Sequence, residues 1–600
     1  MTDKTPHPGP LPSPREVTEA FANVSAQSQA LMQEFFDTHS AHDLKAMDPL
    51  GILAAFASFA EGLARDPAAL LEAQFNAWNT YMQIWQSTAQ RMLGAEAEPV
   101  VEAERNDRRF KAEDWDKNPF FDYVKQTYLA TAGVMQSVVA GAESLDDKTK
   151  KKIEFYTNQY IDAMAPTNFA LTNPEVLHAT VESGGRNLVD GLKNFLADID
   201  PATGRLRTKM VDSNAFKLGE NIAITPGKVV FQNELIQLIQ YEPTTDTVYR
   251  RPLLIVPPWI NKYYVLDLGQ KNSFIRWALD QGLTVFVVSW VNPDERLAEK
   301  DFDDYVDEGP LAALTAIEQA VGEKSVNAIG YCLGGTLLGG TLAYMKAKGD
   351  DRIHAATYFC SMLDFTEPGD LGVFIDEEQL QNVESMMNER GYLDGSEMAS
   401  TFNMLRANDL IWSFVVNNYL LGKQPMAFDL LYWNSDSTRM PARMHSTYLR
   451  KMYLENVFCE PGGMKINGTP INLNDVDMPT CFVSATEDHI APWKSTYAGA
   501  RLFSGEMEFI LSKAGHIAGI INPPGPRQYG HFTGPDIKGL SAEEWLDQAT
   551  FHEETWWGRW AEWIAGHGGD QVPARVPGDG GLDVIEAAPG SYVSLKLKPD

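Results

Sequence analysis

The run Val326-Asn-Ala-Ile-Gly-Tyr-Cys-Leu-Gly-Gly-Thr336 carries the side chain best suited to covalent chemistry, the thiol of Cys332. An apolar stretch suited to a strand meets Cys332 and continues as a helical pattern. The chain must therefore turn sharply at the cysteine, and Gly330 and Gly334 supply the clearance such a turn needs. The following helix aims its N-terminal dipole at the sulfur and favours negative charge there. The spacing predicts an elbow that presents Cys332 as a nucleophile. The bland alternative is an inert buried cysteine at a glycine-rich bend.

A nucleophile of this kind needs a base and a group that orients the base, in the chain order nucleophile, acid, histidine. Downstream, Ala485-Thr-Glu-Asp-His489 follows one candidate strand and Lys513-Ala-Gly-His-Ile517 follows the next. Asp488 is expected to orient His516, and His516 to draw the proton from Cys332 or from an incoming hydroxyl. His489 is the rival base, but its adjacency to the acid suits it poorly to accept that hydrogen bond and also reach the sulfur. Glu487 is the rival acid. For charge developing on a substrate oxygen, the expected donors are the backbone N–H of Leu333 and one from Pro257-Pro-Trp-Ile-Asn261. Prolines lack an N–H, which leaves Trp259 or Ile260. The same segment would also suit a rigid Pro-Pro turn with a buried Trp.

Sulfur in place of oxygen narrows the reaction. A thiolate exchanges readily with a thioester because the attacking and leaving atoms are then both sulfur. In a dry pocket the acyl-enzyme thioester hydrolyses slowly, which favours transfer to an alcohol over loss to water.

These residues need a frame that brings distant strand ends together. Candidate strands are Leu253 to Val256, Thr284 to Val291, Val326 to Ile329, Ala355 to Cys360, Thr480 to Ser484 and Met507 to Leu511, with helices at Leu311 to Val321 and after Cys332. Apolar runs alternating with helical patterns predict a parallel sheet covered on both faces, with its site at the strands' C-terminal ends. More than 100 residues separate Met362 from Thr480, too many for a loop. They are rich in large apolar residues such as Leu410, Trp412, Phe414, Leu430 and Trp433, and are expected to form a cap over about 364–475. Trp556, Trp560 and Trp563 are expected to pack one face of a C-terminal helix onto the sheet.

Residues 16–215 read as a mostly helical domain after a Pro-rich, disordered tail over 1–15, with the catalytic domain spanning 216–600. Leu71, Phe75, Trp78, Met82 and Trp85 recur at alternating spacings of four and three, the stripe of a helix whose start is marked by Asp66 and Pro67. Such a stripe reads first as core; a surface for a partner or a hydrophobic particle is the alternative.

The 600 residues include 81 acidic and 50 basic side chains, a formal charge of -31, and 44% apolar residues. That balance excludes general disorder, and the charge opposes binding to nucleic acid. Four cysteines lie far apart with no zinc spacing, so neither a disulfide framework nor a metal or other cofactor is expected. No signal peptide or transmembrane segment is evident, so no export is implied and a soluble protein, at most attached to a surface, is expected.

Gly330-Tyr-Cys-Leu-Gly-Gly335, Glu487-Asp-His-Ile-Ala-Pro-Trp493 and Gly515-His-Ile-Ala-Gly-Ile-Ile-Asn-Pro-Pro524 closely resemble the polyhydroxyalkanoate synthases. The resemblance continues through Pro257-Pro-Trp-Ile-Asn-Lys-Tyr-Tyr-Val-Leu-Asp267, Leu431-Tyr-Trp-Asn-Ser-Asp436, Trp115, Asn118-Pro-Phe-Phe121 and Thr172-Asn-Pro-Glu175, and its length and long helical N-terminus look like class I. It implies an α/β-hydrolase fold with an inserted cap, preceded by the helical domain. It also implies an acyltransferase that polymerises short-chain (R)-3-hydroxyacyl-CoA, chiefly (R)-3-hydroxybutanoyl-CoA, through Cys332, with release of CoA. A homodimer attached to polymer granules, with granule proteins met through the N-terminal domain, follows from the same resemblance. A thiol hydrolase acting on esters or thioesters, and a granule-coating scaffold without activity, are the competing readings.

Overall fold

A computed structural model describes residues 67–596 except 106, 143–144, 201–203 and 205, and leaves out the side chains of 67–74. The expected tail over 1–15, the Asp66 cap and the Leu71 side chain lie outside the described residues. The chain divides into two compact units, Met1–Asp212 with Phe402–Met426, and Ser213–Thr401 with Ala427–Asp600. Among the described residues no helix is long and apolar enough to cross a membrane.

The first unit is helical: α1 (Pro67–Met92), α2 (Pro119–Ala140), α3 (Asp147–Ala163), α4 (Pro174–Glu182) and α5 (Arg186–Ala197). Two of these begin at Asn-Pro pairs. The Asn118 side chain accepts from the N–H groups of Phe120 and Phe121, and the Asn173 side chain from Glu175 and Val176. Each following proline takes the first helical position, where it has no N–H to leave unpaired. Phe110, Trp115 and Phe121 form an aromatic core below α2. Residues 402–426 belong with this unit, so the segment expected as a cap over 364–475 is shared between the two units. The reason is a close backbone approach: a Cβ at Gly191 would meet the Tyr419 carbonyl oxygen at 1.8 Å, and the Asn187 side chain donates to the Leu420 carbonyl at 2.8 Å.

The α1 stripe is not core. Phe75, Trp78 and Trp85 are 65%, 63% and 59% exposed, and Met82 is also exposed. The helix instead buries Ala77, Ile84, Ser87 and Thr88, a narrower face of mostly small side chains that lets α1 approach α2 closely.

The second unit is built on one mixed sheet. Its elements in chain order are β1 (Gly227–Gln232), β2 (Ile236–Tyr241), β3 (Leu253–Val256), α6 (Phe274–Asp280), β4 (Val285–Trp290), α7 (Ala312–Val321), β5 (Val326–Tyr331), α8 (Leu333–Lys348) and β6 (Ile353–Phe359). After the insertion, which contributes α9 (Glu377–Arg390) and α10 (Ala442–Tyr448), come β7 (Thr480–Ala485), α11 (Trp493–Ala500), β8 (Met507–Ser512), β9 (His531–Thr533), β10 (Thr550–His552), α12 (Trp557–Gly566) and β11 (Glu586–Ala587). The sheet order is β10-β9-β8-β7-β6-β5-β3-β4-β2-β1-β11, parallel from β8 through β4 and antiparallel at both flanks. β5, β6 and β7 stand in register, Tyr331 opposite Phe359 and Phe359 opposite Val483, so their C-terminal ends finish side by side.

α12 packs with a face shifted from the expected one. Trp556, Trp557 and Trp560 are buried, and Trp560 donates its indole N–H to the Thr357 hydroxyl of β6 at 2.9 Å. Phe274 of α6 meets all three rings. Trp563, expected in the core, is half-exposed and lies against His567, because Trp557 and Ile564 take the inner positions. Trp560→Ala is therefore expected to destabilise the protein by about 3–5 kcal/mol, against less than about 1.5 kcal/mol for Trp563→Ala, measured by denaturant unfolding. Equal losses would overturn this assignment of faces.

Candidate active site

Cys332 directly follows β5, with φ 51 and ψ -120, a conformation costly for any residue with a Cβ. Its surroundings hold it there. The Cys332 N–H donates to the Phe359 carbonyl of β6 at 2.8 Å, and its own carbonyl accepts from Gly335 and Thr336 in the first turn of α8. The bend leaves no room for side chains around it. A Cβ at Gly330 would lie 2.4 Å from the Gly335 Cα, and one at Gly334 would lie 2.0 Å from the Val256 carbonyl oxygen. The second contact seats the start of α8 directly against the end of β3 and Pro257. Leu333 opens α8, where backbone N–H groups have no partner one turn back, and it sits beside the segment that carries Trp259 and Ile260. Trp259 and Ile260 are both buried, and their carbonyls accept from the Thr438 hydroxyl.

Asp488 follows β7 and His516 follows β8. The His516 Nδ1 lies 2.7 Å from the Asp488 Oδ2, with both residues buried. The other carboxylate oxygen of Asp488 accepts the N–H groups of Ile490 at 2.9 Å and Ala491 at 2.8 Å, which fixes its orientation. The two loops are tied together by Thr486 N–H to the Ser512 carbonyl and Glu487 N–H to the Ala514 carbonyl. Glu487 itself is exposed, and the imidazole bonded to Asp488 is His516 rather than His489. Cys332 is partly exposed and is close enough to His516 to act on its charge.

The electrostatics follow from this packing. Burial opposes charge on His516, but the Asp488 carboxylate, then the Cys332 sulfur, more than offset it and hold the imidazolium well above the ordinary histidine range. Burial likewise opposes charge on Asp488, and the His516 imidazolium together with the two N–H donors brings its carboxyl below the usual value.

Several neighbours gave no signal in the sequence. Tyr331 stacks on His516 with ring centroids 5.8 Å apart and donates its hydroxyl to the His516 carbonyl at 3.3 Å. Tyr448 and Tyr453 come from the insertion and pack edge to face, ring centroids 5.4 Å apart, and burial raises both phenols. Tyr448 packs edge-on against Trp259, and Phe365 meets both tyrosines. The Trp259 indole N–H is buried with no acceptor among the described residues. Cys360 follows β6 and is fully buried; burial, then the Asp488 charge, push its thiol up to about 12.

Residues 106–278 match the family model for the poly-beta-hydroxybutyrate polymerase N-terminus, and residues 252–523 match that for the alpha/beta hydrolase fold. The chain is 51% identical over 531 residues to the poly(3-hydroxyalkanoate) polymerase subunit PhaC of Rhizobium meliloti, covering 88% of this chain and 86% of that one. It is 48% identical over 538 residues to a poly(3-hydroxyalkanoate) polymerase of Methylorubrum extorquens, covering 90% and 89%. The corresponding subunit of Cupriavidus necator is 39% identical over 537 residues, covering 88% and 89%.

The Asp488–His516 pair has a definite pH signature. A raised histidine contributes stability in full below its unfolded value and loses it as pH rises through the folded one. A depressed carboxyl contributes above its unfolded value and loses it as pH falls through the folded one. The pair is thus worth most between about pH 4 and 6.5, and its contribution fades at higher pH. The drop in melting temperature caused by Asp488→Asn should be largest in that window and shrink above it; a drop independent of pH would contradict the pairing.

Proposed function

The chain belongs to the poly(3-hydroxyalkanoate) polymerase family, and from that premise we propose how its residues make polyester. The substrate is a short-chain (R)-3-hydroxyacyl-CoA of class I type, chiefly (R)-3-hydroxybutanoyl-CoA. The observation that carries the mechanism is the constellation of Cys332, His516 and Asp488 at the C-terminal ends of neighbouring parallel strands, with His516 bonded to Asp488 at 2.7 Å.

His516 takes the Cys332 proton, and the sulfur attacks the thioester carbonyl. The bond from the acyl carbon to the CoA sulfur breaks, and the imidazolium returns its proton to the departing CoA. The 3-hydroxyl of a second monomer or of the growing chain then gives its proton to His516 and attacks the acyl group on Cys332. An ester forms, and the cysteine thiol is restored by that proton. Asp488 keeps the imidazole oriented and stabilises its charge in both halves. The N–H groups of Leu333 and of Trp259 or Ile260 receive the oxyanion, an assignment supported by the contact of Gly334 with Val256 and Pro257. Trp259, Phe365, Tyr448 and Tyr453 supply an apolar surround that disfavours water as the acyl acceptor. The insertion that contributes Tyr448 and Tyr453 gates substrate entry.

In this reading the enzyme acts in the cytoplasm as a homodimer at the surface of its own polymer granule. The exposed Phe75, Trp78, Met82 and Trp85 face of α1 supports contact with the granule or its proteins, since aromatic side chains left in water gain by meeting an apolar surface.

Cys332→Ala is expected to abolish CoA release and to leave no radiolabelled acyl group on the quenched protein; retained label would refute the nucleophile assignment. His516→Ala should lower the rate at least about a thousandfold, far more than His489→Ala, and the reverse ranking would overturn the choice of base. Mass analysis of the wild-type product should find polyester, and free hydroxy acid in its place would favour a hydrolase.

A further inference from the structure

Four neighbouring parallel strands end at this site, and the mechanism above uses the residues after three of them: Cys332 after β5, Asp488 after β7 and His516 after β8. The strand between β5 and β7 also ends on a potential ligand. Cys360 follows β6, with a left-handed backbone at φ 43 and a fully buried side chain. Its sulfur, a carboxylate oxygen of Asp488 and a ring nitrogen of His516 all lie within 4.8 Å of one another, and all three residues are buried. We propose that Cys360, Asp488 and His516 form a binding site for a thiophilic divalent cation such as Zn2+ or Cd2+, and that filling it shuts off acyl transfer.

One thiolate, one imidazole and one carboxylate are the donor types that a borderline-soft cation prefers, and three protein ligands leave a fourth position for water or another donor. Metal–ligand lengths of about 2.0–2.3 Å put the donors of a tetrahedral site about 3.3–3.8 Å apart. The 2.7 Å contact between His516 and Asp488 must open by about 0.6 Å, and the sulfur, already within 4.8 Å of both, needs at most about 1.5 Å of movement to meet that spacing. On binding, the Cys360 S–H and one N–H of the His516 imidazolium each give up a proton to solvent, sulfur–metal and nitrogen–metal bonds form, and nothing is oxidised or reduced. The cation then replaces the hydrogen bond through which Asp488 orients His516. Inhibition rests on the catalytic reading of that pair; occupancy of the site does not.

The binding test uses the full chain carrying Cys332→Ala, so that the nucleophile contributes no signal. Co2+ should give a saturable thiolate-to-cobalt charge-transfer band that Zn2+ displaces. The band should disappear on adding Cys360→Ser, or Cys360→Ala should serine not be tolerated, and persist on adding Cys459→Ser. Its absence with Cys360 present, or its survival without Cys360, overturns the proposal. Asp488→Asn in the same background should raise the Co2+ dissociation constant at least about tenfold, and an unchanged constant removes the carboxylate from the site. For the enzyme with Cys332 intact, a chelator should reverse Zn2+ inhibition of CoA release. Cys360→Ser should need at least about tenfold more Zn2+ for half-inhibition relative to its own metal-free rate. Equal sensitivity overturns the inhibitory role. The cobalt band needs no turnover, so its failure is separable from failure of the acyl-transfer reading.

Discussion

The turn at Cys332 is the constraint on which the site depends. Backbone from Gly330 to Gly335 folds back on itself so tightly that neither Gly330 nor Gly334 could carry a Cβ without striking main-chain atoms. Main-chain obstacles cannot rotate away as a side chain can, so the site accepts the strain of a cysteine with φ 51 and compensates through the Phe359 carbonyl and the first turn of α8. In return the sulfur is held beyond the sheet edge, at the N-terminus of a helix and next to the loop after β3.

Asp488 and His516 are fixed by different means. Asp488 is buried, and two backbone donors and the imidazole satisfy its oxygens. His516 is buried against Tyr331 and bonded to Asp488. A buried carboxylate and a buried imidazolium are each costly alone, and together they offset much of that cost. This mutual dependence explains why their protonation shifts run in opposite directions and why the loops carrying them are stitched by backbone hydrogen bonds. It also leaves Cys360 beside a charged pair, the arrangement in which a thiol can become a metal ligand.

Helix surfaces tell a second story. In α1 the large aromatic residues stay in water while small ones are buried, and in α12 the inner face is set by Trp556, Trp557, Trp560 and Ile564 rather than by the three tryptophans with helical spacing. Periodicity identifies that a helix has an apolar side. Which side faces inward depends on the partner's shape, because a helix pair gains from close packing as well as from apolar area.

Local chemistry therefore made much of the protein legible in its sequence. Leu253–Val256 is an apolar run with strand geometry in any context, Gly330 and Gly334 announce a turn that other residues could not make, and Asp488 and His516 follow their strands in the order the turn requires. The flanking antiparallel strands β1 and β2 were missed, since their interspersed Lys228, Gln237 and Gln240 weaken the apolar pattern and their pairing is long-range. Tertiary structure alone decided that Tyr331, Tyr448, Tyr453 and Cys360 surround Cys332, Asp488 and His516, that residues 402–426 belong with the helical unit, and that the α1 stripe stays exposed. The physical reason is common to all of these: they are contacts between segments far apart in the chain, and neither propensity nor periodicity encodes which distant surface a side chain will meet.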